Sequence, residues 1–362
     1  MKRNIFSQGR GLLLMFIMVA FLMGMVGETT AAPNFKGKVI VLVVPTSAGG
    51  GTDINGRLIS RYLGKFIPGN PTIVIRNMPG AGGLIGANLA NAARPDGLTI
   101  LVTIAGTITQ NITRPRGADF KLQEMHPIYA QPEGCVYYIK PGLIKEPKEI
   151  LTAKGLIFGH NVATGAISSV FIWAKELLGF DCKMVLGYAG SGPARLAFLA
   201  GETNFTGGGT AGHSVWKTLV DRGEVVTIFQ AGILDPSGNI VREKVVPNIP
   251  TIAEFYRQIY GKAPSGPVWE VYKLLMGTRT FSQTLLLPPK TPAEMVNICR
   301  KAAIDMVKDP KFLDDAEKLA PGGSHLLGEE LARIFPAGVS GNPETVKFMK
   351  DFFMEKYGVV FE

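Results

Sequence analysis

Thr46, Ser47, Gly49, Gly50, Gly51, Thr52 and Asp53 follow directly on an apolar run in the stretch VVPTSAGGGTD. Three adjacent glycines remove every Cβ from the turn, so backbone N–H groups can approach a ligand closely. A helix predicted to start at Thr52 adds about half a positive charge at its first turn. Such a turn can seat a phosphate or a carboxylate. A turn with no ligand at all is the plain alternative, since glycine is the default turn residue.

The phosphate reading fails on spacing. A nucleotide-binding loop of the form GxxxxGK[ST] needs a lysine, and neither 49–53 nor 78–86 supplies one. The dinucleotide fingerprint GxGxxG fails as well. Gly80, Gly82 and Gly86 are one residue too far apart, and Ile54 stands where the third glycine of the first turn should be. A carboxylate seat remains. Hydroxyls at Thr46, Ser47, Thr52, Thr107, Ser168, Ser191 and Thr210 fall in turns that could share it.

Catalytic groupings are sparse. His126, His160, His213 and His325 show no metal-ligand spacing, and no GxSxG elbow occurs. No metal, cofactor or catalytic residue is expected. Asp53, the one acid of the first turn, either caps the following helix or orients a bound water. Cys135, Cys182 and Cys299 are far apart and form no CxxC, leaving either one disulfide and one thiol or three buried thiols.

The elements that must place these turns repeat in order. Strands at 38–45, 71–77 and 98–104 are each followed by a small-residue turn, at 46–53, 79–83 and 105–109. Helices follow the first two, and the 52–66 helix carries Ile54, Leu58, Ile59, Leu63 and Phe66 on one face. The pattern returns at 155–178, 183–202 and 204–213, and a helix from 292 is expected, with Thr291 as its cap. This is βαβ grammar, which implies α/β architecture with the turns gathered at the carboxyl ends of the strands, where open sheets bind ligands. No linker separates beads on a string.

The N-terminus carries Lys2, Arg3 and Arg10, then an uncharged run over 11–27, then ETTAAP. That is the pattern of a secretory signal peptide, residues 1–31, cut after Ala31. The net charge of +9 falls to +7 when Lys2, Arg3, Arg10 and Glu28 leave. The positive balance suits an anionic small molecule. It is scattered, without basic runs or aromatic interleaving, so no nucleic-acid partner is expected.

At this point the chain resembles the substrate-binding proteins of tripartite tricarboxylate transporters, the TctC or Bug family. The likeness rests on VVPTSAGGGTD, IVIRNMPGAGGLIGANLANAARPDGLTILV, GYAGSGPARLAFLAGE, VPNIPTIAEF and LLPPKTPAEMVNICRKA, and spans essentially the whole mature chain. It implies a two-lobed, type II (Venus-flytrap) fold, each lobe a mixed, mostly parallel sheet flanked by helices. The implied lobes are 33–130 plus 232–362, and 131–231. It implies a monomeric receptor of the periplasm that captures a small organic anion, a carboxylate, by lobe closure. The implied partner is a membrane transporter of one large and one small integral subunit. Carried onto this sequence, the first-lobe contacts are Thr46, Ser47, Gly50, Gly51, Asp53, Ala81, Gly82, Gly83, Ala105 and Thr107. The second-lobe contacts are Gly165, Ser168, Tyr188, Gly190, Ser191, Gly209 and Thr210. A valine at Gly83 is expected to block the amide seat while sparing the fold. One departure stands out: relatives commonly carry an Asp-Asn pair after the strand near 205, and Gly208 and Gly209 stand here. The pocket end there is expected to be roomier or less polar. A receptor signalling to a sensor, or an exported enzyme on the same fold, are the alternatives.

Overall fold

The computed structural model describes residues 34–235, 237–319 and 321–362, so the signal peptide read at 1–31 lies outside the described residues. Strand β1 (Val39–Val44) runs parallel to both of its neighbours, β2 (Thr72–Asn77) and β3 (Thr99–Val102). Ile40, Leu42, Val43 and Val44 are fully buried, as a strand covered by helices on both sheet faces requires. Helix α1 (Gly51–Leu63) follows β1, α2 (Leu84–Asn91) follows β2 and α3 (Ala105–Thr113) follows β3. The chain then runs through β4 (His126–Ala130) and crosses to β5 (Cys135–Ile139).

The second sheet is built from β5, β6 (Ile157–His160), β7 (Lys183–Leu186), β8 (Phe205–Gly209) and β9 (Val226–Gln230), in the order β7-β6-β8-β5-β9. Helix α4 (Ser168–Leu178) follows β6, α5 (Ser191–Leu199) follows β7, and α6 (His213–Asp221) follows β8. A hairpin, β10 (Ile233–Leu234) and β11 (Ile240–Val241), leads to α7 (Ile252–Tyr260) and α8 (Pro267–Thr280). The chain then re-enters the first sheet as β12 (Leu285–Leu287). Helices α9 (Ala293–Met306) and α10 (Pro310–Leu319), strand β13 (Leu326–Leu327), and helices α11 (Gly328–Gly338) and α12 (Pro343–Tyr357) complete it. The first sheet has the order β13-β4-β12-β3-β1-β2.

This is a two-lobed, mixed α/β fold. Antiparallel pairing is more prominent than the strand–turn–helix repeat suggests. The strands that carry the chain between lobes, β4, β5, β9 and β12, all pair antiparallel with their neighbours.

Two readings differ from the structure locally. Residues 252–280, read as loop and short helix, hold α7 and α8. Their apolar faces (Ile252, Phe255, Val271, Tyr272, Leu275 and Met276) join Phe171 and Trp173 in the core of the second sheet, as do Met349 and Phe353 of α12. The C-terminal segment therefore packs on both sheets, although the reading gives all of 232–362 to the first lobe. Thr291 does not cap α9. Its hydroxyl donates to the Pro288 carbonyl, and Pro292 takes the cap position.

A candidate carboxylate cleft between the lobes

The first turn is held from below by Asp53. Its Oδ2 accepts from the Gly49 amide and from Arg57 Nε, both at 2.9 Å, and its Oδ1 accepts from Asn77 Nδ2 at 2.9 Å. The same Asn77 amide donates to the Thr46 carbonyl. Asp53 is 2% exposed. Burial raises its pKa, but the hydrogen bonds from Arg57, Gly49 and Asn77 hold the carboxyl below its usual range. Asp53 is thus engaged in shaping the turn and is not among the residues that line the cavity described below. Gly50 supplies the helix cap position with extended backbone.

The glycine turns of the two lobes meet. A Cβ at Gly51 would lie 2.9 Å from the Gly212 amide nitrogen, and one at Gly106 would lie 2.7 Å from that of Ala166. A Cβ at Gly82 would meet Val162 at 2.7 Å and the Gly165 Cα at 3.5 Å, and one at Gly190 would meet Ser47 Oγ at 2.9 Å. These glycines let the lobes close backbone to backbone. Gly83 serves another purpose. It has φ +104°, and its Cβ would strike Thr107 and Ile104 of its own lobe. A valine there would break the turn itself, so the expected clean loss of binding does not apply.

A partly open cavity of about 40 Å³ lies where the turns meet. Of the residues expected at the site, Thr46, Gly51, Gly190, Ser191 and Gly209 line it. So do Glu133, His160, Asn161 and Arg279, which are not among the expected contacts. The Thr46 and Ser47 hydroxyl oxygens and Gln110 Oε1 are buried there or just beside it without a hydrogen-bond partner. Each such group costs about 1–3 kcal/mol unless something else satisfies it.

Other expected contacts are committed elsewhere. Thr107 Oγ1 donates to the Ile104 carbonyl and accepts from the Ile104 amide. Ser168 Oγ donates to Asn161 Oδ1. Tyr188 turns outward and donates to Glu202. Ala81 receives Gln110 Nε2 on its carbonyl at 2.7 Å. Ala105 starts α3, and Gly165 has Asn161 packed against it, where a Cβ would overlap the amide. Thr210 hydrogen-bonds Glu243 and lines a second cavity of about 370 Å³ behind the cleft, under the β10–β11 hairpin.

The Gly208–Gly209 region is filled. Gly207, Gly208 and Gly209 lie within β8, and Cβ atoms there would strike Tyr137, Trp216 Nε1 and Glu133 Oε1. The pocket end is therefore neither roomier nor less polar: a tryptophan and a carboxylate occupy the space the missing side chains leave. Glu133 accepts from the Ala211 amide, from Gln283 Nε2 at 2.7 Å and from Ser282 Oγ. Arg279, at the end of α8 and 1% exposed, donates to the carbonyls of Glu133, Gly134 and Ala166. It ties the crossover strand to the second-lobe turn. The signal that could have found it is a lone arginine closing an otherwise apolar helical stripe. Nothing comparable marks Glu133, which sits in an irregular crossover.

His160 ends β6 at the cavity wall. Burial pulls its pKa down to about 4, against a small raising effect of the Asn161 hydrogen bond. It is a neutral ring near pH 7. Cys135, Cys182 and Cys299 are buried free thiols. Among the described residues no cluster of His, Cys, Asp or Glu could hold a metal ion.

No family model matches the chain. It is 26% identical to a UPF0065 protein of Bordetella bronchiseptica over 322 residues, 87% of this chain and 85% of the relative. A UPF0065 protein of Pseudomonas sp. strain P51 is 37% identical over 82 residues, so the chain spans only 24% of that relative's length. Among solved structures, the periplasmic binding protein BugD superposes with a TM-score of 0.65 at 21% identity, covering 89% of this chain and 98% of BugD. An R. palustris protein solved with adipate superposes with a TM-score of 0.66 at 18% identity, covering 89% and 97%. The chain is thus similar to UPF0065 proteins, and its fold is that of periplasmic solute-binding proteins such as BugD. Those structural neighbours are binding proteins, not enzymes. No described helix is long and apolar enough to cross a membrane.

Proposed function

We propose that this chain is a periplasmic receptor that captures a small carboxylate between its lobes and delivers it to a membrane transporter of one large and one small integral subunit. The observation that carries the reading is the pair of unpartnered hydroxyls, Thr46 and Ser47, held between facing glycine turns. A carboxylate accepting from both would relieve two buried groups of the first lobe at once, and the rest of the ligand would reach Gly190 and Ser191 of the second. In the closed form the ligand is removed from water, so each hydrogen bond to its charge strengthens. Closure then presents a joined surface that an open receptor lacks, which is how a partner can recognise the loaded state.

The proposed contacts are Thr46, Ser47 and the Gly50 and Gly51 amides from the first lobe, with Gly190, Ser191 and Gly209 from the second. Lobes of 33–130 plus 232–362, and 131–231, belong to the same proposal, with α7, α8 and α12 reaching across. Export by residues 1–31 would place the receptor in the periplasm. Calorimetric titration of residues 32–362 with mono-, di- and tricarboxylates, aromatic acids and amino acids tests the binding step. Saturable binding of one class of acid is expected, and no binding of any acid would overturn the reading. Uptake of the bound acid by cells lacking the protein separates transport from signalling: transport predicts lost uptake, signalling does not.

A further inference from the structure

The polarity of the second-lobe wall is set by a chain of hydrogen bonds that ends at Ser191. Asn161 Oδ1 accepts from Ser168 Oγ at 2.8 Å and lies 3.1 Å from His160 Nδ1. An oxygen facing Nδ1 places the ring proton there and leaves Nε2 as an acceptor. Ser191 Oγ lies 3.2 Å from that Nε2, so its single proton points at the histidine. Towards the cavity the Ser191 hydroxyl offers lone pairs only. The chain is insulated from titration near neutral pH, because burial keeps His160 uncharged.

A second acceptor stands nearby. Glu133 Oε1 lines the same cavity and lies where a Cβ on Gly209 would be. Its one donor is the Ala211 amide at 3.3 Å, so an oxygen lone pair is left over. A plain carboxylate pressed against this wall would set oxygen against oxygen.

We infer that the cleft selects carboxylates carrying a hydrogen-bond donor, a hydroxyl or an ammonium, with Ser191 Oγ and Glu133 Oε1 as its acceptors. The donor must sit close to the carboxylate, because Ser191 and Glu133 line the same small cavity, about 40 Å³, as Thr46. This rests on the carboxylate-receptor reading above and adds the class of acid. A hydroxyl and an ammonium share the chemistry, and Glu133 separates them: its charge favours the cation, whereas Ser191 serves both.

The test is a set of matched titrations on the purified protein. The series are propionate, lactate and alanine; succinate, malate and aspartate; and phenylacetate, mandelate and phenylglycine. In the series that binds, a hydroxy or amino member should bind about tenfold tighter than the plain acid. Ser191→Ala should bring that ratio to within about twofold. Glu133→Gln should weaken the amino member about tenfold and leave the hydroxy member largely unchanged. If that variant melts early, the Ser191→Ala arm still decides. Nitrogen-15 spectra should place the His160 proton on Nδ1. A plain acid binding as tightly as its donor-bearing analogues overturns this inference and leaves the receptor reading standing. So does an undiminished preference in Ser191→Ala, or a proton on Nε2. Failure of every acid overturns both.

Discussion

Ser47 is the residue on which the site's energetics turn most simply. Its hydroxyl is buried beside the cleft and makes no bond within the protein. Ser47→Ala should therefore lower affinity for the bound acid about five- to tenfold while leaving the melting temperature of the free protein unchanged or slightly higher. Titration and melting on the same preparation check both halves. Glu243 carries a different consequence. It is buried against Gly134 and Thr210, with Glu133 and Arg279 nearby, and burial pushes its pKa up to about 7 from 4.5, against the hydrogen bond from Thr210 and the Arg279 charge. The unfolded chain ionises this group at lower pH than the folded one does. Its stabilising effect is therefore full below pH 4.5 and is lost as pH rises through about 7. The loss is on the order of 3 kcal/mol. His160 works the other way, losing stability as pH falls from 6.5 towards 4. His126, His213 and His325 are also lowered by burial and act in the same sense as His160. The Glu243 effect is therefore read by difference: the melting temperature of the protein minus that of Glu243→Gln should fall as pH rises from about 4.5 through 7, and a difference that stays flat would contradict it. At this scale the sequence showed the hydroxyls and concealed the charges. Thr46, Ser47 and Ser191 advertise themselves in small-residue turns. Glu133 and Arg279 acquire meaning only through partners far away in the chain, each bonding to the other's segment across 146 residues.

At the scale of elements, glycine placement governs how closely the two sets of turns approach. Gly51 opens α1 with ordinary backbone dihedrals, so a side chain there suits its own helix and meets only the far lobe and Glu133. Gly51→Val should hold the cleft ajar. Binding should fall at least about tenfold while the free protein's melting temperature changes by only a few degrees, since a side chain inserted into a packed interface costs about 1–3 kcal/mol of closure. Titration together with melting distinguishes this from unfolding. The β1, β2 and β3 units with their turns were readable because each apolar run ends abruptly in small residues. β8 was not, because three glycines in succession read as a loop. They are tolerated in a strand only because Tyr137, Trp216 and Glu133 fill the faces they leave bare. α8 was missed because its buried face packs against the second sheet rather than along its own segment.

For the whole molecule, the interlocked crossovers matter most. The chain passes between lobes at 131–134, near 231 and again through α8, and Arg279 joins the backbone of the first crossover to the turn after β6. A receptor built this way should gain stability when a ligand bridges the lobes. Saturation at about 100 times the dissociation constant adds roughly 2.7 kcal/mol. The fold class was legible from the order of strands, turns and helices. The sharing of the C-terminal helices between both cores was not, because periodicity gives a helix its apolar face but not the partner it covers. The most direct measurement is the thermal melt of residues 32–362 with each class of carboxylate, repeated on Gly51→Val. A melting rise with one class of acid, largely abolished in the variant, is expected. No rise with any acid, or a rise untouched by Gly51→Val, would contradict it.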